Sequence, residues 1–410
     1  MQSRHILMLI ATVVLLVALV AGLNQTLRPG VGEPVAVLEN IRDYLPATRL
    51  EGPDYAVDSS GLYVGRPGQW TQIPTPDEVI VAAVAVDTRP VDADVPGLAE
   101  TIYIGAANEL AVYRTGDRGQ HWLRVPLSDQ FIGGVTDLAF DPVQRLLLAG
   151  ADTAGVFRLR DVGSSLVNGG QLLLDAPVRQ VAIDPHGSGL IFARTDWNLY
   201  RAEQFGLSWF TVEGLHSSPT ALVVTGDPAT VYVGTVDRGL LKSSDGLTWT
   251  TANTGLGAVP GSRLHVDTLA ADPLQPDVLY IATSFIYGTT EAHHTPSRVA
   301  VSSDGGLAWE TLGETPSLVA ELLPVSGRTG QVYALTLTSR TPQPMGETPA
   351  IAAAPPVAPE SGSTGLLAWV VAGLAALALG FAVVSDLRSR RPVTAPEAAL
   401  ETQPVRSEPR

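Results

Sequence analysis

The sequence predicts an all-β fold: a six-bladed β-propeller, with seven blades as the alternative, carried between an N-terminal and a C-terminal transmembrane helix. Three observations predict it. A strand phrase recurs along the middle of the chain, a turn ending in Trp recurs in register with that phrase, and two charge-free apolar runs lie near the ends.

The strand phrase opens with an apolar run that closes on Asp. It reads VAAVAVDTRP at Val81, VTDLAFDP at Val135, VRQVAIDP at Val178, TALVVTGDP at Thr220 and VDTLAADP at Val266. A second strand follows: TIYIGAA at Thr101, RLLLAGA at Arg145, GLIFART at Gly189, TVYVGTV at Thr230 and VLYIATS at Val278. The closing acids Asp87, Asp141, Asp184, Asp227 and Asp272 stand 43 to 54 residues apart. That is the period of a four-stranded propeller blade. With 40 Gly and 31 Pro, the chain has the turn residues that many short strands need.

The third element is the turn. Thr115 to Trp122 reads TGDRGQHW and Ser302 to Trp309 reads SSDGGLAW. Ser243 to Trp249 (SSDGLTW) is one residue shorter, Ala202 to Trp209 (AEQFGLSW) lacks the Asp, and Gly65 to Trp70 (GRPGQW) keeps only the end. In such a turn the carboxylate can accept backbone N–H groups and Gly can take the φ > 0 position. The Trp then covers the side of a blade. Asp117, Gly119, Trp122, Asp245, Trp249, Asp304, Gly306 and Trp309 are therefore expected to be structural residues.

Counting from these phrases gives five complete blades. GLYVGRPGQWTQI from Gly61 supplies half a blade, and SLVAELLPV with QVYALTLT from Ser317 supplies another. Joined, they would make a sixth and tie the two ends together, removing free sheet edges. The segment from Asn40 to Asp58 could hold the strands of a seventh blade.

The ends set the remaining organisation. Ile6 to Leu23 and Leu366 to Val384 are each long enough, at 1.5 Å per residue, to cross a hydrocarbon core of roughly 30 Å. Residues 1–24 are read as a signal anchor or signal peptide, 25–53 as a linker and 54–340 as the propeller. Residues 341–365, rich in Pro and Ala, are read as a stalk, 366–384 as a transmembrane helix, and 385–410 as a disordered cytoplasmic tail. Arg4 and the Arg388–Arg391 cluster belong inside by the positive-inside rule, which puts the propeller on the extracytoplasmic side of the cell membrane.

The turn pattern Ser/Thr-x-Asp-x-Gly-x-x-Trp resembles the Asp-box, or bacterial neuraminidase, repeat. The resemblance covers about residues 55 to 340. Short blades and GLxxSxDG turns look more like sortilin-type and photosystem II assembly factor propellers than like true sialidases. It implies a non-catalytic binding or assembly module, with a sialidase-like exo-glycosidase as the alternative. Sialidases need an arginine triad and a Tyr–Glu pair. Arg114, Arg158, Arg194, Arg201 and Arg238 are scattered without a spacing that gathers three, so no catalytic residue is assigned.

Function is expected on the turns joining the second and third strands, which should ring the channel mouth. Their candidate binding residues are Asp152, Asp196, Trp197, Asp237 and Arg238. The long loop from Ser284 to Ser297 adds Tyr287, Glu291, His293 and His294, because loops on rigid scaffolds carry specificity. Adjacent histidines on a loop lack a rigid third ligand, so no metal and no cofactor is expected. A net charge of −15 excludes nucleic acid as a partner, and the absence of Cys excludes disulfides. The expected partner is a membrane or surface protein, or a glycan.

Overall fold

The computed structural model describes residues 38–49, 52–89, 100–173, 176–184, 186–288 and 291–351. Both apolar runs, the tail and most of the stalk lie outside the described residues. Among the described residues, no helix is long and apolar enough to cross a membrane.

These residues build seven antiparallel sheets, each one blade. Blade 1 is β1 (Asp43–Leu45), β2 (Asp54–Asp58), β3 (Gly61–Arg66) and β4 (Gln69–Ile73). Blade 2 is β5 (Val81–Asp87), β6 (Thr101–Ala106), β7 (Ala111–Thr115) and β8 (Leu123–Pro126). Blade 3 is β9 (Val135–Asp141), β10 (Leu146–Ala151), β11 (Gly155–Asp161) and β12 (Leu166–Leu173). Blade 4 is β13 (Gln180–Ile183), β14 (Ile191–Arg194), β15 (Leu199–Glu203) and β16 (Ser208–Thr211). Blade 5 is β17 (Pro219–Thr225), β18 (Thr230–Thr235), β19 (Leu240–Ser243) and β20 (Thr250–Thr251). Blade 6 is β21 (Arg263–Asp272), β22 (Gln275–Tyr287), β24 (Ser297–Ser302) and β25 (Glu310–Thr315), with β23 (His293–His294) as an extra strand on β22. Blade 7 has three strands, β26 (Val319–Pro324), β27 (Gln331–Thr336) and β28 (Gln343–Gly346).

The structure thus corrects the count from six to seven and removes the composite blade. The N-terminal strands do not pair with the C-terminal ones. Each end instead completes its own sheet, using strands hidden outside the repeat phrase. β1 lies in the segment read as a linker, and β28 in the segment read as stalk. Both are short, and β28 carries Pro344 on a blade edge, where the missing N–H costs no ladder bond.

Seven apolar clusters hold the ring, and each joins two successive blades. A blade has two apolar faces, so it needs a neighbour on both sides. Closure at the seam between blades 7 and 1 is by packing. Leu323, Tyr333 and Leu335 meet Leu38, Ile41, Tyr44 and Trp70, and Arg340 Nη1 donates to Ile41 O at 2.8 Å.

The Trp-ended turns join strands three and four and act at these seams. Trp122 packs at seam 1–2 and donates Nε1–H to Pro74 O at 2.9 Å. Trp309 packs at seam 5–6 and donates to Ala252 O at 2.8 Å. Trp209 and Trp249 border seams 3–4 and 4–5. Asp245 Oδ1 accepts the N–H groups of Leu247 and Thr248, both at 2.8 Å, and Asp304 Oδ1 accepts those of Leu307 and Ala308. Asp117 Oδ1 accepts His121 N–H at 2.9 Å, while Gly119 and Gly306 sit at φ +85° and +78°. Seam 2–3 has no Trp. There Asp161, fully buried, takes Arg114 Nε at 2.8 Å and Arg145 Nη2 at 2.6 Å, with the Tyr103 hydroxyl alongside.

Trp309 is 7% exposed, so Trp309→Ala should lower unfolding free energy by about 3–5 kcal/mol. Trp197→Ala, at a side chain 76% exposed, should change it by less than ~0.5 kcal/mol. Urea unfolding of the full-length chain measures both; equal effects would contradict the seam role.

Candidate functional site: the central channel and its rim

In each blade the first strand is innermost, so its free inner edge faces a central channel of about 710 Å³. An unpaired edge needs partners. Side chains on the first strand of one blade supply them to the next. Asp43 Oδ2 accepts Val84 N–H at 2.7 Å, Asp137 Oδ2 accepts Val181 N–H at 2.8 Å, and Asp267 Oδ2 accepts Val319 N–H at 3.2 Å. Gln180 Nε2 donates to Leu222 O at 2.8 Å in the same sense. This girdle explains why acids recur on strands whose apolar pattern would otherwise be unbroken.

Alternation of the strands puts the strand 2–3 turns and the blade-to-blade links at one channel end. The strand 1–2 and 3–4 turns lie at the other. Four arginines line the first end. Arg42 and Arg179 immediately precede β1 and β13, Arg194 closes β14, and Arg340 lies between β27 and β28. Arg179 pairs with Asp196 at 2.8 Å. Arg194 reaches only Gln180 Oε1 at 3.3 Å and Pro219 O at 3.4 Å, and burial lowers its pKa. Neither Arg194 nor Arg340 forms an ion pair among the described residues. Below them sit Asp43, Asp137, Asp267 and Glu321.

The sequence had singled out only Arg194 of this set. Arg114 is buried against Asp161, Arg158 Nε donates to Phe205 O, Arg201 pairs with Glu203, and Arg238 donates to Leu215 O. Arg42 and Arg179 carried one usable signal: the residue just ahead of a first strand sits at the channel mouth. Tyr44 is the only tyrosine among the described channel residues, and its hydroxyl donates to Asp54 Oδ2 at 2.7 Å.

The rim residues fall on four successive blades. Asp152 Oδ1 accepts Gly134 N–H at 2.9 Å, which ties the β10–β11 turn to the link that enters β9. Asp196 engages Arg179, and Trp197 stands exposed beside it. Asp237 accepts the Ser217 hydroxyl at 2.5 Å. Arg238 bridges to Leu264 of blade 6, while Tyr287 pairs with His293 and Ile286 with His294 in the β22–β23 hairpin, whose turn holds Glu291. The segment from Ser284 is not a plain loop. β22 continues through Phe285 and Ile286, both buried, pairs with β21 to Arg263, and receives β23 on its other side. Under this hairpin Asp267 accepts the hydroxyls of Ser284, at 2.8 Å, and Ser297. The His265 and His294 rings meet edge to face at 5.2 Å, and burial lowers the His265 pKa. No cluster of three or more His, Cys, Asp or Glu that could hold a metal is found among the described residues.

The channel acids are half-buried at the wall. Burial pushes Asp43 up to about 6. Burial, then the Asp43 charge, pushes Asp137 up to about 8 and Glu321 well above the usual range. A carboxyl raised on folding binds more protons in the folded chain than in the unfolded one. Its stabilisation is complete below the ordinary value near ~4 and is lost as pH rises through the folded value. Thermal stability should therefore fall between about pH 4 and 8 through these groups. Asp137→Asn should flatten that fall in melts across the range; an unchanged slope would contradict it.

No protein-family model and no curated protein matches the chain. Solved structures do. The chain is similar to the GH74 xyloglucanase from Xanthomonas campestris, at 22% identity and a TM-score of 0.55, over 74% of this chain and 52% of that one. It is similar to YCF48 bound to a D1 peptide, at 15% identity and 0.53, over 76% and 95%. It is also similar to the GH74 enzyme of Niastella koreensis, at 16% and 0.52, over 74% and 52%. The chain spans about half the length of these GH74 chains. At such identities the likeness carries the fold alone: an all-β, seven-bladed propeller, found in both glycoside hydrolases and a peptide-bound protein.

Proposed function

We propose that this chain is a membrane-anchored, extracytoplasmic binding module whose propeller captures an acidic segment of a partner protein over the arginine-lined channel mouth. One observation carries the reading. A chain of net charge −15 places Arg42, Arg179, Arg194 and Arg340 at one channel end. Of the acids below them, Asp43, Asp137 and Asp267 are already hydrogen-bonded to the wall. Guanidinium groups in a partly dry site suit carboxylates, which they can grip through two parallel hydrogen bonds.

The closed geometry of the Ser/Thr-x-Asp turns supports reading them as Asp-boxes with a structural role. The charge-free runs at both ends support anchoring in the membrane. The exposed rim from Asp152 to His294 would add contacts around the mouth.

A hydrolase reading has one observation in its favour: Asp43 and Asp137, raised unequally, could divide acid and base roles. Against it, both already serve as acceptors for neighbouring backbone, and Tyr44 is committed to Asp54.

Crosslinking in native membranes should trap a partner. Arg194→Glu with Arg340→Glu should reduce that yield more than tenfold, and shortening the β22–β23 hairpin should reduce it less. Undiminished crosslinking in the double variant would refute the mouth as the site. Hydrolysis of a fluorogenic sialoside or of xyloglucan by the purified chain, lost in Asp137→Asn, would replace the binding reading with the enzymatic one.

A further inference from the structure

The channel end opposite the arginines carries the strand 1–2 and strand 3–4 turns. On three successive blades, 4, 5 and 6, the strand 3–4 turn ends in the same Gly-Leu-x-Trp arrangement with its Leu outward. Leu207, Leu247 and Leu307 are 56%, 65% and 63% exposed. Blades 1 and 2 hold Gln69 and Gln120 at the matching place after the turn Gly.

These leucines are held outward by their turns. The carboxylates of Asp245 and Asp304 bind the Leu247 and Leu307 N–H groups at 2.8 and 2.9 Å. The Trp a few residues on is packed at the seam. A hydrophobic tip fixed by two anchors is a built surface feature rather than slack in a loop.

A cationic side chain of the preceding blade sits beside each tip. Arg158 Nε donates to Phe205 O at 3.1 Å, and Lys242 Nζ donates to Gly305 O at 3.2 Å. A Cβ on Gly246 would lie 2.9 Å from Arg201 Cδ. The same turns carry Glu203, Asp245 and Asp304, with Arg201 paired to Glu203, so it is the leucine tips that match a phospholipid interface, where aliphatic groups enter the acyl boundary.

The C-terminal end of the propeller leads to the same face, whereas Arg42, on the side of the N-terminal run, lies at the arginine-lined end. β28 is a third strand, and third strands run toward the strand 3–4 turns. Beyond it, Ile351 lies against Gly68, in the strand 3–4 turn of blade 1, where an added Cβ would meet its Cγ2 at 3.6 Å. Residues 352–365 separate this point from the apolar run at Leu366, a reach of at most about 50 Å even fully extended.

We propose that this face rests on the lipid bilayer, with Leu207, Leu247 and Leu307 inserted at the interface and the arginine-lined mouth turned away from it. The proposal rests on the membrane-anchoring reading above. The chain has no Cys, so single cysteines can report position without a background.

The full-length chain carrying Leu207→Cys, Leu247→Cys, Leu307→Cys or Trp197→Cys would be labelled with an environment-sensitive fluorophore in vesicles of phosphatidylcholine and phosphatidylglycerol. The three Leu positions should show blue-shifted emission and at least twofold quenching by spin-labelled lipid; position 197, on the opposite face, should show neither. A Leu207→Gln/Leu307→Gln background should abolish quenching at 247 while the chain still floats with the vesicles. Water-like signals at all four positions in a chain that floats would overturn the docking and spare the anchor. A chain that alkaline carbonate strips from its membranes would overturn both. Shielding in native membranes but not in pure lipid vesicles would overturn lipid as the occupant and point to a protein.

Discussion

A propeller blade is a small sheet with two apolar faces, and water must be kept from both. Everything else in this molecule follows from that requirement. It fixes the ring, because only a closed ring gives every blade two neighbours. It fixes where large side chains go, since the seven clusters lie between blades rather than within them. It also explains why one turn motif can repeat without a chemical role. The Asp shapes the turn so that the Trp, four or five residues on, falls on the seam. Where the motif is lost, in blade 3, a buried Asp161 with two arginines and a tyrosine spans the seam.

The channel is the second consequence. Bringing the first strands of the blades together leaves their inner edges without a sheet partner. The polar side chains that answer this are shared with the lumen. The same Asp that satisfies a backbone N–H of the next blade therefore gives the channel its acidity and its dependence on pH. Structural need and the chemistry available to a ligand are not separate here, which is why the wall acids alone do not reveal an active site.

Much of this was legible in the sequence, for identifiable reasons. The five central blades announce themselves because each opening phrase closes on an Asp, and in four of them that Asp folds back on its own turn, with Asp87 accepting Arg89 N–H. Asp141 accepts Val143 N–H, Asp184 accepts His186 N–H, and Asp272 accepts Leu274 N–H. The terminal blades hide because they lack that device. β1 has three residues and no closing Asp, and β28 begins directly after Pro342, inside the Pro-rich segment that reads as stalk. The rim turns were found, since Asp, Asn and Gly punctuate them. The arginines of the mouth were not, because their convergence depends on register around a ring and on no local motif. The segment from Ser284 reads in the sequence as a loop, yet its first residues pair with β21 and are buried.

Closure of the ring by packing rather than by a shared sheet has a temporal side. Ile41 and Arg340, which meet across the last seam, are 299 residues apart in sequence. At a synthesis rate of about 5–20 residues per second, the first blade waits roughly 15–60 s for the residues that cover its outer face. During that interval Tyr44, Tyr63 and Trp70 have no permanent cover. The chain is thus one whose earliest-made surface is the last to be protected, and its dependence on chaperones should be greatest at its beginning rather than its end.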